Sequence, residues 1–133
     1  MSPSPRLDLA TWRAALWALR AKRSCSRTLG ANGAAMLALP ALPMPPALPG
    51  RARRGVEAVL ARTGATCLER SSVLQTWDLA HDRRREVIVG VTRPSTGFRA
   101  HAWLEGDETC ESEGFTELLR LPPPGTSSLM MGR

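Results

Sequence analysis

Apolar residues recur at helical spacing near the start of the chain. They are Leu9, Trp12, Leu16 and Leu19, and Asp8 stands just before them, where an N-cap residue is expected. The pattern predicts an amphipathic helix whose apolar face packs on the rest of the protein or on a partner. Arg13 and Arg20 are expected on the outside of this helix.

A proline-rich stretch follows. Residues 34–49 read AAMLALPALPMPPALP, which contains too many prolines for a membrane-spanning helix and predicts an extended connector up to Gly50. Helical spacing resumes at Val56, Val59 and Leu60, and this second helix is expected to end near Gly64.

A third helix is predicted directly afterwards. Thr66 and Glu69 have the spacing of a capping box, which places Cys67 at the first helical position. The apolar residues that follow point to several sides, so the helix is expected to be covered on most faces; they are Leu68, Val73, Leu74, Trp77 and Leu79. The polar sequence HDRRR is expected to end the helix, with His81 in solvent.

Two β-prone runs, EVIVGV from Glu86 and GFRAHAWLE from Gly97, predict a hairpin with a longer loop. Alternation in the second run places Phe98, Ala100, Ala102 and Leu104 on one face, and Arg99, His101 and Trp103 on the other. A turn at Gly106 and Asp107 is expected to lead into a third strand near Thr109 to Glu113, before the last apolar segment GFTELLRL. Helices followed by an antiparallel meander indicate an α+β fold.

Composition narrows the class of protein. A chain of 133 residues, 43% of them hydrophobic, suits one domain. The net charge of +6 favours acidic partners, but no helix-turn-helix or RNA-binding signature supports nucleic acid. The cysteines Cys25, Cys67 and Cys110 are odd in number and form no CxxC, which argues against a disulfide framework. With no secretory signal and no membrane span, a cytoplasmic protein is expected.

The first turn of a helix favours a reactive cysteine. Unpaired backbone N–H groups and the helix dipole stabilise a thiolate there, which makes Cys67 a candidate nucleophile. Nucleophilic catalysis also needs a base, and His101 lies at the centre of a strand that can pack against this helix. A third group must orient the base. The candidates are Glu113, Glu111 and Asp107.

Other interpretations stay open from these residues alone. A buried cysteine and a strand histidine can both be purely structural. A zinc site would have to combine Cys67, His81, His101 and Cys110, whose spacing matches no familiar ligand pattern. No metal and no cofactor is therefore expected.

Three blocks of sequence surround the candidate pair. They are Cys-Leu-x-Arg-Ser at 67–71, a Val/Ile-Gly-Val strand at 88–91, and Phe-x-Ala-His-Ala-Trp at 98–103. Together they resemble the transglutaminase-like, papain-like leader peptidases of lasso peptide biosynthesis, which form the second half of the split lasso B protein. The resemblance covers residues 55–121, and the three blocks in order are more specific than any one of them.

The resemblance implies a transglutaminase-like (papain-like) α+β fold with a small antiparallel sheet packed on the cysteine-bearing helix. It implies a cysteine peptidase that removes the leader from a ribosomally made precursor peptide before an ATP-dependent lasso cyclase closes the ring. A separate leader-recognition protein is expected, because residues 1–50 do not supply the several strands that such a module needs.

The resemblance also assigns roles to residues. It implies that Cys67 and His101 are catalytic and that Trp103 lines the peptide cleft. The family's third residue is usually an Asp, and here that position holds Glu113, a departure that leaves Glu111 and Asp107 as alternatives. Independently of the resemblance, Arg70 is expected to form a surface ion pair with Glu69 or another acid.

The expected division of the chain is an N-terminal helix and proline-rich connector at residues 1–54, a peptidase core at 55–121 and a flexible tail at 122–133. Two other functions remain. A transglutaminase-like acyltransferase or amidohydrolase acting on another peptide substrate would share the acyl-enzyme and differ only in its acceptor. A non-catalytic basic binding module would contain an unreactive Cys67.

Overall fold

The helices precede the strands along the chain. The computed structural model describes residues 8–32, 41–92, 99–107 and 114–124. Within these ranges the elements are α1 (Leu9–Asn32), α2 (Arg53–Arg62), α3 (Cys67–Ala80), β1 (Val87–Val91), β2 (Ala100–Leu104) and β3 (Thr116–Leu121). The expected α+β class and the order of its elements are confirmed. None of the helices in these ranges has the length and apolar character to cross a membrane.

The N-terminus of α1 is capped as the sequence predicts. The Asp8 carboxylate accepts a hydrogen bond from the backbone N–H of Thr11 at 2.8 Å, and the Arg51 guanidinium donates to its other oxygen at 2.8 Å. Hydrogen bonds from the Thr11 side chain and backbone, and then from Arg51, lower the pKa of Asp8 from 3.8 to about 2. The cap therefore also ties α1 to the turn before α2.

Most of the predicted apolar face of α1 does not pack on the rest of the described structure, and its packing on a partner stays a prediction. Leu9, Trp12 and Leu16 are 75%, 54% and 55% exposed, and the face that enters the core instead consists of Thr11, Ala14, Trp17, Ala18, Ala21 and Cys25. The reason is the close approach of α1 and α2: a Cβ added at Gly55 would lie 2.3 Å from the Thr11 carbonyl oxygen. Such an approach favours small side chains where α1 and α2 are in contact, and Trp17 of the same face packs on Trp77 of α3.

Residues 41–49 of the proline-rich stretch form neither helix nor strand and pack on the helices. Leu42 is buried, and the Trp17 indole N–H donates to the Pro43 carbonyl at 2.8 Å. The expectation that His81 is solvated is wrong. Its ring nitrogens lie 2.8 Å from the carbonyl oxygens of Trp77 and Leu48, so His81 joins the end of α3 to this segment.

Helix α3 lies at the centre of the fold. Its capping box is present, and Glu69 and residues 71–78 are buried, which confirms the prediction that most of its faces are covered. The Gln75 side-chain amide donates to the carbonyls of Arg85, at 2.9 Å, and Leu121, at 3.0 Å. Gln75 thus joins the helix to the chain before β1 and to the end of β3.

The sheet has the order β2-β1-β3, with both strand pairs antiparallel. The predicted meander is wrong, because β3 pairs with β1 and not with β2. The outer edge of β2 is taken by the start of α3, where the Ala102 N–H donates to the Cys67 sulfur. The strand predicted at 109–113 lies outside the described residues, whereas the predicted alternation in β2 is confirmed, with Ala102 and Leu104 buried.

A buried ion pair connects α3 with the sheet. The Asp78 carboxylate, 2% exposed, accepts from the Arg85 guanidinium at 2.8 Å, and Arg85 also donates to Asp107 at 2.7 Å and to the Glu105 carbonyl at 3.1 Å. Burial lowers the pKa of Arg85, but the hydrogen bonds to Asp78 and Asp107 outweigh this effect, and its pKa lies above its ordinary value. Arg85 therefore carries a full charge at the junction of three segments.

The expected boundaries at residues 54 and 121 stay a prediction. Helix α1 packs on both α2 and α3, so the segment before residue 54 contributes directly to the core. The predicted flexibility of residues 122–133 concerns a segment that lies mostly outside the described residues.

We expect Asp78→Asn to lower the free energy of unfolding by about 3 kcal/mol, because it removes the buried carboxylate of the pair and leaves the largely buried Arg85 with only the half-exposed Asp107. Denaturant unfolding followed by circular dichroism measures this change. Asp82→Asn is the matched control, since Asp82 is exposed and has a φ of 63°, which Asn tolerates well. Equal stability of the two variants would show that the pair does not hold the fold.

Candidate active site

Cys67 is the first residue of α3, at a firmly capped end. The Thr66 hydroxyl accepts from the Glu69 N–H at 3.2 Å, and the Glu69 carboxylate accepts from the Thr66 N–H at 3.0 Å. The other Glu69 oxygen accepts from the Ser26 hydroxyl of α1 at 2.5 Å. Glu69 is thus a structural residue, and the position of Cys67 is fixed from both the helix and the core.

The Cys67 sulfur lies against the edge of β2. The backbone N–H of Ala102 donates to it over 3.3 Å. Ala102 is opposite Val89 of β1, and its N–H points away from the sheet. Both this donor and the positive end of the α3 dipole favour negative charge on the sulfur.

His101 precedes Ala102 on β2, and aromatic rings hold its side chain. The imidazole stacks on Trp103 with ring centroids 5.6 Å apart and contacts Phe115 at 5.4 Å. His101 is opposite Gly90 in β1. A Cβ at Gly90 would lie 3.1 Å from the Trp103 ring and 3.2 Å from Phe115, so the glycine leaves the space that this cluster occupies.

Three of the predicted site residues, Cys67, His101 and Trp103, line one cavity. It has a volume of about 640 Å³, and its walls include Cys67, Arg70, His101, Trp103 and Asp107. The structure therefore brings Cys67, His101 and Trp103 together, as the sequence predicts. The indole N–H of Trp103 is buried and has no hydrogen-bond acceptor among the described residues.

The position of the third catalytic group stays a prediction. Glu113 and Glu111 lie outside the described residues, as does Cys110. Asp107 lines the cavity, but its carboxylate is engaged by Arg85 at 2.7 Å. Asp107 is therefore better explained as part of the network around Arg85 than as the partner of His101.

Metal binding finds no support in the part of the chain that the structure describes. No group of three or more metal-ligating side chains is found there. His81 and Cys67 lie at opposite ends of α3, about 20 Å apart by the rise of a helix, so they cannot bind one zinc ion together.

Cys25, in contrast, is enclosed in the core. It is fully buried, and burial raises the pKa of its thiol to about 11. Of the two described cysteines, only Cys67 combines partial exposure, a helix N-terminus and a neighbouring histidine. This arrangement suits a nucleophile with a base beside it.

Two parts of the site are not predicted from the sequence. Phe115 contacts His101 only because β3 pairs with β1, so that the chain before β3 passes close to Gly90. The expected ion pair of Arg70 with Glu69 is not formed, because the Glu69 carboxylate accepts from Thr66 and Ser26. A pair with an acid outside the described residues stays a prediction. Neither feature has a signal in residue spacing.

A family model described as the Transglutaminase-like superfamily matches residues 6–120. The match includes α1, α2, α3, β1 and β2, and β3 up to residue 120. Comparison with curated proteins and with solved structures finds no match.

We expect a small thiol reagent to modify Cys67 in the folded protein and to reach Cys25 only after unfolding. Cys67 is partly exposed, whereas Cys25 is buried and its pKa is raised to about 11. Peptide mass spectrometry before and after adding denaturant measures both sites. Equal modification of the two cysteines in the native protein would contradict the described packing.

We expect Gly90→Ala to slow the reaction of Cys67 with the same reagent and to lower the free energy of unfolding by about 1–3 kcal/mol, because the methyl group crowds Trp103 and Phe115. Gly50→Ala is the control, since a Cβ there meets no atom within 4 Å. An unchanged Cys67 rate in Gly90→Ala would show that the aromatic cluster does not position His101.

Proposed function

The chain belongs to the Transglutaminase-like superfamily, which includes cysteine peptidases and acyltransferases, and on that premise we propose that it is a cysteine peptidase that cleaves the leader from a lasso peptide precursor. The observation that carries the proposal is the meeting of Cys67 and His101 at one cavity. Two of the three sequence blocks of the lasso resemblance supply walls of this cavity, through Cys67, Arg70 and Ser71 and through His101, Ala102 and Trp103. Gly90 of the remaining block is opposite His101 in the sheet.

The proposed reaction begins with attack of the Cys67 sulfur on the carbonyl carbon of the scissile peptide bond. His101 takes up the thiol proton and gives it to the departing amine, which leaves a thioester between the leader and Cys67. Water then attacks the thioester with His101 as base, releasing the leader as a carboxylic acid and regenerating the thiol. Each peptide bond cleaved thus consumes one water molecule.

Backbone donors near Cys67 suit the developing oxyanion. The N–H groups of Cys67 and Leu68 belong to the first turn of α3 and have no acceptor within the helix. We propose that these backbone N–H groups bind the oxyanion and that Trp103 lines the peptide cleft.

We propose that Glu113 orients the His101 imidazole. Its support is the lasso resemblance, together with the engagement of Asp107 by Arg85. Glu111 is the remaining alternative, and comparison of Glu113→Gln with Glu111→Gln separates the two.

We further propose that a separate leader-recognition protein presents the precursor and that an ATP-dependent cyclase uses the cleaved core peptide. The exposed Leu9, Trp12 and Leu16 on α1 offer an apolar surface for such a partner. Weak binding of a leader peptide to this chain alone is expected, and tight binding measured by titration calorimetry would contradict a separate recognition protein.

We expect the protein to cleave synthetic peptides that contain both a leader and a core, when incubated with a leader-recognition protein. Cys67→Ala should abolish cleavage, and His101→Gln should slow it about 10²–10⁴-fold, because the base is lost. Product masses measure the reaction. Cys25→Ala is the control, since Cys25 lies in the core away from the cavity.

The same experiment tests the other functions. A product that contains an added primary amine would indicate acyl transfer instead of hydrolysis. Cleavage that persists in Cys67→Ala, or no reaction with any peptide, would contradict the proposed peptidase.

A further inference from the structure

Arg70 lies one turn after the nucleophile on the same face of α3. Residues three and four apart are neighbours on a helix surface, and Cys67, Arg70, Ser71 and Leu74 all line the cavity. Arg70 thus brings a permanent positive charge to the wall in which the Cys67 sulfur lies.

The Arg70 guanidinium has no partner in the described part of the chain. Its backbone N–H donates to the Thr66 carbonyl, but its side chain takes part in no hydrogen bond or ion pair with residues 8–32, 41–92, 99–107 or 114–124. Some other arginines are paired, among them Arg51 with Asp8, Arg85 with Asp78 and Arg120 with Glu117, whereas Arg70 is exposed in the cavity wall.

The nearby carboxylates are occupied. Glu69, the residue before Arg70, accepts from Thr66 and Ser26. Asp107, also in the cavity wall, accepts from Arg85 at 2.7 Å. Within the described ranges, the cavity wall therefore contains a cation without a partner, although acidic side chains are close in sequence or share its walls.

We propose that Arg70 binds a carboxylate of the substrate next to the bond that Cys67 attacks. A guanidinium presents parallel N–H donors that match a carboxylate in two hydrogen bonds, and a partly enclosed cavity strengthens this pairing relative to open solvent. The substrate is thereby a peptide with an acidic side chain, or a free chain terminus, close to the reacting carbonyl. This inference rests on the proposed function, because it requires Cys67 to react in this cavity.

The test compares two alkylating reagents that differ in charge. Iodoacetate carries a carboxylate and iodoacetamide does not, and both alkylate the Cys67 thiolate with loss of iodide. We expect Arg70→Gln to lower the ratio of the iodoacetate rate to the iodoacetamide rate about two- to fivefold, the effect of one partly exposed charge pair. Arg70→Lys should retain part of the ratio, and 1 M salt should reduce the ratio in the wild type.

Arg62→Gln is the matched control. Arg62 is exposed at the end of α2, outside the walls of the cavity, and its substitution changes the net charge by the same amount. Circular dichroism verifies that each variant is folded. The ratio in Arg62→Gln should equal that of the wild type.

The outcomes separate this inference from the function on which it rests. If Cys67 reacts but Arg70→Gln leaves the ratio of the two rates unchanged, even when both rates fall, carboxylate binding by Arg70 is overturned. The assignment of Cys67 as nucleophile is then unaffected. If Cys67 reacts with neither reagent, the proposed function is overturned and the inference with it.

Three chloroacetyl amino acids identify the source of the carboxylate. Chloroacetyl-glutamate amide carries only a side-chain carboxylate, chloroacetyl-glutamine carries only a terminal one, and chloroacetyl-glutamine amide carries neither. We expect one of the two acidic reagents to modify Cys67 faster than the neutral one, with the advantage lost in Arg70→Gln. Equal rates for all three would overturn the proposal.

Discussion

The position of the sheet on α3 depends on the buried carboxylate of Asp78. Through Arg85 it joins the helix to the residues just before β1, and the same guanidinium binds the Glu105 carbonyl and the Asp107 carboxylate after β2. The position of the β1–β2 hairpin on α3 is therefore fixed at the end of the hairpin where Val87 pairs with Leu104. Because β1 and β2 pair residue by residue from that end, Ala102 comes to lie beside the start of α3.

The N-terminal end of α3 determines the surroundings of the Cys67 sulfur. The capping box and the Ser26 hydrogen bond hold the first turn against α1, and the Ala102 N–H meets the sulfur at the edge of β2. The same arrangement prevents β3 from adding to β2, so β3 pairs with β1 and brings Phe115 to His101. The packing that completes the fold thus also orients the candidate base.

Local patterns in the sequence predict much of this site. The Thr66 and Glu69 spacing locates the start of α3 and with it Cys67, and the alternation in β2 places His101 on the face opposite Ala102. These features are predictable because a capping box and a pleated strand depend on neighbours in sequence.

Features that depend on distant contacts are not predictable in the same way. The core face of α1 is chosen by the close approach of Gly55, which favours alanines over the larger Leu9, Trp12 and Leu16. The strand order and the contact of Phe115 with His101 each follow from how separate segments contact one another. Helical and strand periodicity do not indicate which segments distant in sequence contact each other.

The central claim is that His101 acts on the Cys67 sulfur, and its most direct test is the rate of Cys67 alkylation by iodoacetamide at neutral pH in the wild type and in His101→Ala. We expect fast modification of Cys67 in the wild type and a clear slowing in the variant, with the folded state unchanged by circular dichroism. Equal rates in the two proteins would contradict a catalytic pair and favour a binding module in which Cys67 is structural.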